Sequence, residues 1–237
     1  MHIQALDHYL NGEDEIRLVG VLCSLNKDAI DAGANIGTYS YFLRKKSRHV
    51  YAYEPNPGLS SRLERLLPDV KVRNFALSNS AGTVVLQVPI GKDGKPIHEL
   101  ASISQNFSGP IDNFTVKAIT VDSENYENIG FIKIDVEQHE RQVLQGALQT
   151  IKRCRPVIMT EVSPLKYESD LRVVFEFITR EKYIGWFKFA KKWHNFSKLV
   201  PEVHLNEANF GLRDRFMGNN ILFFPLEHPN AEVGPRP

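Results

Sequence analysis

Short apolar runs alternate with helix-compatible segments in the first part of the chain, and this order constrains the fold most strongly. The run "KDAIDAG" is typical of a buried strand, and "IGTYSYFLRKK" directly after it is typical of a helix. Two further strand-like runs, "HVYAYEP" and "VKVRNFAL", enclose a second helical segment, "LSSRLERLL". A β-α-β-α-β order of this kind predicts a parallel sheet with helices on its faces.

The middle of the chain interrupts this alternation. Two strand-like runs, "GTVVLQVPI" and "FTVKAITVD", flank residues 89–110, which contain several glycines and prolines and little periodicity. A loop of this length inside a compact domain is usually functional or mobile, so we predict a lid there. The alternation then resumes with predicted strands "GFIKIDV", "RPVIMTEV" and "NNILFFP" and predicted helices "EQHERQVLQGALQTI" and "SDLRVVFEFITREK".

The 237 residues are predicted to form one domain, 1–237, because no linker, repeat or low-complexity segment divides them. Residues 1–27 are interpreted as an N-terminal helical extension, since "EIRLVGVLCSLN" has apolar residues at helical spacing. Residues 186–218 are predicted to be an insertion that sets substrate choice, because "WFKFAKKWHNF" mixes aromatic and basic side chains. A buried seam with a solvated basic edge is the alternative interpretation.

Composition and charge exclude several classes of protein. A formal net charge of +1 gives no overall field that would recruit nucleic acid or an anionic membrane. Cys23 and Cys154 form no C-x-x-C pair, which argues against a disulfide framework or a zinc site. The first residues lack the pattern of a signal peptide, and no apolar run has the roughly 20 residues that a membrane span needs. We therefore expect a cytoplasmic protein.

The segment "IDAGANIGTYS" places two glycines between the first predicted strand and helix. Glycine permits backbone geometry and close approach that a Cβ would block, and a helix N-terminus offers free N–H groups. The pattern is D-x-G-x-N-x-G, which lacks the G-x-G-x-x-G spacing of the dinucleotide fingerprint. Taken alone, Gly33 and Gly37 would serve equally well as a simple turn between a strand and a helix.

Glu54 strengthens the cofactor interpretation of these glycines. It ends the second predicted strand in "YAYEP", about 20 residues beyond Gly33. An acid at that distance lies at the tip of the neighbouring strand, where it can accept hydrogen bonds from both ribose hydroxyls of a cofactor. A solvated carboxylate at a strand end is the alternative, which the aromatic neighbours and the following proline make less favourable.

Several motifs are spaced along the chain in a characteristic order: "DAGANIGTYS", "YAYEPNP", "NFALSNSAG", "FIKIDVEQHERQVLQGA", "PVIMTEV" and "NNILFF". Together they resemble the FkbM-type S-adenosylmethionine-dependent methyltransferases. The resemblance runs from about residue 29 to 161 and returns near 219. It implies an α/β fold of the Rossmann-like class I methyltransferase type, whose mostly parallel seven-stranded sheet has an antiparallel last strand.

The resemblance also implies roles for individual residues toward the cofactor, S-adenosyl-L-methionine. Asp31, Gly33, Asn35 and Gly37 would shape the pocket for the methionine part. Glu54 would hold the ribose with Asn56 nearby, and Asn74 and Ala76 would flank the adenine. The family usually has glycine after "DVE", whereas this chain has Gln138, which adds bulk at a helix start near the reacting centre.

Three residues are candidates for the chemistry of methyl transfer. Asp135 ends the fourth parallel strand and can contact the cofactor's ammonium group or the acceptor hydroxyl, or serve as a helix N-cap. His139 is a candidate general base, because a helix N-terminus keeps imidazole neutral. The alternative is that it is a surface histidine in the first turn of the helix. Glu161 ends the fifth strand and can face the acceptor or form an ion pair. Glu137 and Glu140 suit the helix start electrostatically.

The leading functional hypothesis is an O-methyltransferase that acts on a hydroxyl of a small molecule or glycan. Methylation of an amine is the alternative enzymatic hypothesis. Enzymes that methylate nucleic-acid amines commonly have an N/D-P-P-aromatic element after the fourth strand, whereas this chain has "IDVEQ" there. A non-catalytic cofactor-binding protein of the same fold is the third possibility. Metal binding is weakly supported, because the acids and His139 match no metal signature. The sequence predicts no nucleic-acid partner and leaves the oligomeric state undefined.

Overall fold

The structure is a computed structural model that describes residues 14–105, 107–161, 176–177, 180–190, 192–200, 204 and 220–235. The helices are α1 (Val19–Leu22), α2 (Thr38–Leu43), α3 (Pro57–Leu66), α4 (Glu140–Gly146) and α5 (Leu148–Cys154). The strands are β1 (Asp28–Ala32), β2 (Val50–Tyr53), β3 (Lys71–Arg73), β4 (Ala76–Leu77), β5 (Gly82–Pro89), β6 (Ile111–Ile119), β7 (Ile129–Ile134), β8 (Val157–Glu161), β9 (Tyr183–Phe189), β10 (Lys192–Asn195) and β11 (Asn220–Pro225).

A central sheet in the order β10-β9-β11-β8-β7-β1-β2-β3 forms the centre of the fold. Neighbours from β3 through β8 pair in parallel, whereas β11 is antiparallel to both β8 and β9. The predicted mostly parallel sheet with an antiparallel last strand is therefore confirmed. The described residues give this sheet eight strands rather than seven, because β10 folds back on β9 as an antiparallel edge strand.

A separate three-stranded sheet, in the order β4-β6-β5, packs beside the central one. The predicted single strand "VKVRNFAL" is in fact divided between the two sheets, as β3 and β4. The break falls at Asn74, whose side-chain amide donates to the carbonyl oxygens of Glu54 and Pro55, both at 2.9 Å. This anchor holds the end of β3 against the end of β2 and lets the chain turn into the second sheet.

The helix predicted over "EQHERQVLQGALQTI" also differs from the structure. Glu137 and Gln138 have φ angles of +52° and +74°, so helical geometry cannot begin before Glu140. The helix is then divided at Ala147 into α4 and α5. At the N-terminus, the described part of the predicted extension is a short 3-10 turn, Asp14–Leu18, followed by α1.

The described part of residues 89–110, which are predicted to be a lid, folds back along β5 in the structure. The backbones of Gln87 and Ser102 exchange hydrogen bonds of 2.9 and 3.0 Å, and a second isolated bridge joins Ile90 to Pro96. Of the predicted substrate segment 186–218, Trp186–Phe189 belongs to β9 and 192–195 form β10. Residues 191, 201–203 and 205–219 lie outside the described residues, as does most of the predicted helix "SDLRVVFEFITREK".

Side chains on the two faces of the central sheet form two apolar clusters. Ile30 and Ile132 face α4 and α5, whereas Ala29 and Phe131 face α2 and α3. These residues are completely or almost completely buried. None of the helices in the described ranges combines the length and apolar character needed to cross a bilayer.

Candidate active site

A cavity opens at the carboxyl ends of the parallel strands, where open α/β sheets bind ligands. One side is polar and comes from the residues that follow β1, β2, β7 and β8. The other side is mainly apolar and comes from β4, β5 and the folded-back loop. The lining residues are Gly33, Asn35, Tyr53, Glu54, Pro55, Phe75, Ala76, Leu77, Leu86, His98, Ala101, Ile103, Asp135, Val136, Glu137 and Glu161.

Gly33 lies where the turn after β1 passes closest to the end of β7. Its φ is +79°, and a Cβ on this residue would collide with the backbone carbonyl oxygen of Asp135. Gly37 has a φ of +87° at the start of α2 but is not among the cavity-lining residues. The two glycines thus serve different purposes, since Gly33 permits close backbone approach at the cavity and Gly37 permits the turn into the helix.

Glu54 is fixed by its own backbone surroundings. Its Oε2 accepts a hydrogen bond of 2.7 Å from the Asn35 N–H, and its Oε1 accepts one of 2.8 Å from the Asn56 N–H. Burial raises the pKa of Glu54 to about 7, against the lowering effect of the two backbone donors and with a further rise from Asp31 and Asp135. Each carboxylate oxygen has a second lone pair, so the group can still accept hydrogen bonds from a ligand.

Asp31 lies behind the cavity wall rather than on it. Its carboxylate accepts a hydrogen bond of 2.5 Å from the Ser40 hydroxyl, which joins β1 to α2. Burial raises the pKa of Asp31 to about 6, although Ser40 and Lys133 act in the opposite direction. The structure therefore gives Asp31 contacts within the protein, and any effect on a cofactor passes through the residues in front of it.

Asp135 lies on the wall and is paired with a buried lysine. Its Oδ2 is 3.3 Å from the Lys133 Nζ, in the preceding strand β7. Burial acts to raise the pKa of Asp135, but the Lys133 ammonium and a hydrogen bond from Glu161 outweigh it and lower the pKa. Asp135 is therefore a carboxylate, although it lies among other acids.

Glu137 and Glu161 complete an acidic wall with Asp135. The three residues have carboxylate oxygens that lie within 4.8 Å of one another. Burial, Asp135 and Glu140 raise the pKa of Glu137 to about 7. Groups of acids of this kind are common without a bound ion, so the geometry by itself does not define a metal site.

Of the other predicted cofactor residues, some line the cavity and some do not. Asn35 and Ala76 line the cavity. Asn56 caps α3, because its Oδ1 accepts hydrogen bonds from the Gly58 and Leu59 N–H groups at 2.9 and 3.2 Å. Asn56 is absent from the cavity lining, as is Asn74, which anchors the end of β3. These two asparagines position the wall rather than form it.

His139, a candidate general base from the sequence, is not among the residues that line the cavity. Its Nε2 lies 2.9 Å from Ser78 Oγ and its Nδ1 lies 2.6 Å from Ser104 Oγ, so both ring nitrogens are engaged within the protein. Burial lowers the pKa of His139 to about 4, which keeps the ring neutral. The ring therefore ties the loop at 104 to the turn that precedes α4.

Three contributions to the site were not predicted from the sequence. Lys133 pairs with Asp135 from the interior of the protein. The sequence feature that could have indicated it is a single lysine inside the apolar run "GFIKIDV". Ser102 donates a hydrogen bond of 2.5 Å to the Glu137 carbonyl oxygen and thereby holds the acidic wall. Phe75 and His98 also line the cavity. Phe75 lies in the break between β3 and β4, and His98 begins a short 3-10 helix in the loop after β5, so neither directly follows a predicted strand as Gly33 and Glu54 do.

The residues present fit a nucleoside cofactor that carries an amino acid. The contact between Gly33 and Asp135 leaves bare backbone beside the polar wall, as close ligand approach requires. The apolar side can cover a planar base with Phe75, Leu77 and Ile103. No lysine or arginine is among the described residues that line the cavity, so the acidic wall suits a positively charged group.

Fold and site together define a cofactor-binding protein of the Rossmann-like class. The sequence profile of the methyltransferase FkbM domain matches residues 31–191, which is more than half of the chain. The chain belongs to the methyltransferase FkbM family. Membership of this family implies S-adenosylmethionine as the cofactor, in agreement with the fit described above.

Two known proteins illustrate the similarity. Hexuronic acid methyltransferase AglP of Haloferax volcanii is 31% identical over 162 residues, which are 63% of this chain and 62% of that protein. The crystal structure of methyltransferase FkbM from Methylobacillus flagellatus has a TM-score of 0.53 at 15% identity and covers 85% of this chain and 44% of its own. The chain thus spans less than two thirds of the length of either protein, and the second similarity supports the fold alone.

Proposed function

We propose that this chain is an S-adenosylmethionine-dependent O-methyltransferase whose acceptor is a hydroxyl of a sugar or glycan. The observation that carries the proposal is the cavity itself, in which Glu54 and Asp135 flank the bare backbone at Gly33. Family membership supports methyl transfer. The relative named for a hexuronic acid supports a carbohydrate acceptor.

Residues on the two sides of the cavity would hold different parts of the cofactor. Glu54 would accept hydrogen bonds from the ribose hydroxyls through its spare lone pairs, since the Asn35 and Asn56 N–H groups already fix its orientation. Phe75 and Ala76 would cover the adenine. Asp135 would lie beside the ammonium group of the methionine part, with Asp31 behind it.

When bound, S-adenosylmethionine would supply a methyl group on a positively charged sulfur, and an acceptor oxygen would displace that sulfur from the methyl carbon in line. The protein's part is to align the acceptor, exclude water and receive its proton. Glu137 joins Asp135 and Glu161 as a candidate for the last task, because its pKa of about 7 suits proton transfer near neutral pH. Residues 89–110 would cover the cavity, and residues 186–218 would help to select the acceptor.

Calorimetry with the full chain and S-adenosylhomocysteine tests the first half of the proposal. We expect binding, whereas its absence would contradict cofactor use and leave a protein that has lost this function. Incubation with labelled S-adenosylmethionine and a panel of neutral sugars, uronic acids and amino sugars, followed by mass spectrometry, tests the second half. Label on nitrogen rather than oxygen would favour amine methylation instead.

A further inference from the structure

Lys133 is one of the most deeply buried charged side chains in the described residues. It is 1% exposed and lies in the middle of the central sheet on β7. An isolated buried ammonium group is strongly unfavourable, so such a residue requires compensation from nearby groups. Its Nζ lies 3.3 Å from Asp135 Oδ2 and 4.9 Å from the centre of the Tyr39 ring.

Strand register places a second acid beside the same lysine. Lys133 and Asp31 are directly opposite each other in the parallel pair of β7 and β1, so their side chains share one face of the sheet. Asp31 is 2% exposed, whereas the Asp135 side chain is 29% exposed at the cavity. Lys133 therefore lies between one interior carboxyl group and one that faces the cavity.

We propose that Lys133 is a positioning residue that keeps Asp135 ionised and fixed at the cavity wall, so that Asp135 can hold the cofactor's ammonium group. This inference rests on the proposed function. Lys133 itself is too deeply buried to touch a ligand. It acts through Asp135, to which it contributes both the opposite charge and a fixed direction.

The groups around this pair explain why a buried cation is needed. Asp31 faces it from β1, Tyr39 from α2, Glu54 from the end of β2, Glu161 from β8, Glu137 from the turn after β7 and Glu140 from the start of α4. All of these except Tyr39 are acids, and each ionised acid makes ionisation of the next more costly. The lowered pKa of Asp135, against raised values for Asp31, Glu54 and Glu137, agrees with a lysine that acts mainly on Asp135.

Substitution of Lys133 by methionine, which has a similar length, tests the proposal. Without the cation, burial raises the pKa of Asp135, so Asp135 becomes protonated at neutral pH and loses its attraction for an ammonium group. We expect Lys133→Met to weaken S-adenosylhomocysteine binding about tenfold or more at pH 7, the size of one pKa unit. The ratio of variant to wild-type affinity should recover as the pH rises. Lys133 also lowers the pKa values of Asp31 and Glu137, so the double variant with Asp135→Asn described below is needed to assign this recovery to Asp135.

Lys152→Met is the matched control. Lys152 is a partly exposed lysine on α5, and its Nζ lies 3.3 Å from Oε1 of Glu181. The affinity and pH profile of this variant should equal those of the wild type. Equal affinity and an unchanged profile for Lys133→Met would overturn the proposal. The double variant Lys133→Met with Asp135→Asn should bind about as weakly as Asp135→Asn alone, because the lysine acts through that carboxylate. Fully additive losses would contradict this route.

A measurement on the wild-type protein covers the case in which Lys133→Met does not fold. Carbon-13 NMR can follow the titration of the aspartate carboxyl groups, and comparison with Asp135→Asn assigns the signal of Asp135. We expect Asp135 to stay ionised when the pH falls to the ordinary pKa of aspartate and below it. Titration of Asp135 above the ordinary range would overturn the proposal. This readout needs no ligand, so absence of S-adenosylhomocysteine binding by the wild type would refute the proposed function while the role of Lys133 is still tested.

Discussion

The His139 ring is bonded to Ser104, with Nδ1 lying 2.6 Å from Oγ, and this contact ties the loop over the cavity to the turn that carries the acidic wall. Ser102 reinforces it, since its hydroxyl donates to the Glu137 carbonyl oxygen and accepts hydrogen bonds from the backbone N–H groups of Ser104 and Gln105, both at 3.1 Å. The loop and the acidic wall are therefore joined by a compact set of hydrogen bonds.

We predict that Ser104→Ala and His139→Ala have consequences of the same kind, because both remove the contact between these residues. His139→Ala should have the larger effect, since it also removes the contact with Ser78. Both should accelerate proteolysis within residues 91–109 and lower the free energy of unfolding by about 1–3 kcal/mol, as expected when a buried polar group loses its partner. Ser80→Ala, at an exposed serine, is the control. If His139→Ala abolished turnover while loop protection and cofactor affinity stayed normal, His139 would instead be the general base.

Glu54→Ala should weaken S-adenosylhomocysteine binding by about 1–3 kcal/mol, the order expected for the loss of charge-assisted hydrogen bonds. Glu54→Gln should lose less, because the amide oxygen still accepts a hydrogen bond. Glu64→Ala, at an exposed acid on α3, serves as the control in the same calorimetric titration. Unchanged affinity of a folded Glu54→Ala protein would refute the ribose assignment.

Cofactor binding should release protons near neutral pH. The pKa of free Glu54 is raised to about 7, and hydrogen bonds from ribose hydroxyls favour the ionised form, so binding lowers this pKa. Affinity should therefore increase as the pH rises from about 6 through 7 and level off above the pKa of the free protein. Titrations at pH 6.5 in buffers of different ionisation enthalpy measure the release, which Glu54→Gln should reduce. Identical heats in all buffers would contradict the prediction.

Gln138→Gly should stabilise the protein by up to about 1 kcal/mol. Gln138 has a φ of +74°, a conformation that is unfavourable for residues with a Cβ, and its buried Oε1 has no hydrogen-bond partner among the described residues. Gln142→Gly provides a control of opposite sign, because position 142 lies within α4, where glycine costs about 1 kcal/mol. Denaturant unfolding measures both changes. Destabilisation by Gln138→Gly would mean that Gln138 makes a contact that outweighs its backbone cost.

A glycine pair tests the close approach at the cavity. Gly33→Ala should destabilise the protein by more than about 1 kcal/mol, because the added Cβ meets the Asp135 carbonyl oxygen and φ is positive. Gly82→Ala is the matched control, since a Cβ there meets no atom of the structurally described part of the chain within 4 Å. Thermal unfolding of the two variants gives the comparison. Equal stability would show that the turn after β1 can relax away from β7.

Local pattern determined the β-α alternation and the position of the cofactor site along the chain. Gly33 and Glu54 were predictable because each follows a strand whose apolar residues and turn signals are local, and parallel strands bring their carboxyl ends together. The parallel order of the sheet follows from the same local alternation, whereas the antiparallel last strand was implied only by the family resemblance.

Tertiary structure decided which of the polar residues near that site reach the cavity. His139 follows Asp135 closely in sequence, yet two positive φ angles and two serines from distant segments turn its ring away. The register of the parallel pair β1 and β7 places Lys133 directly opposite Asp31. Hydrogen bonds and charge pairs of this kind join residues far apart in the chain, and their energies depend on burial, which a local sequence pattern does not specify.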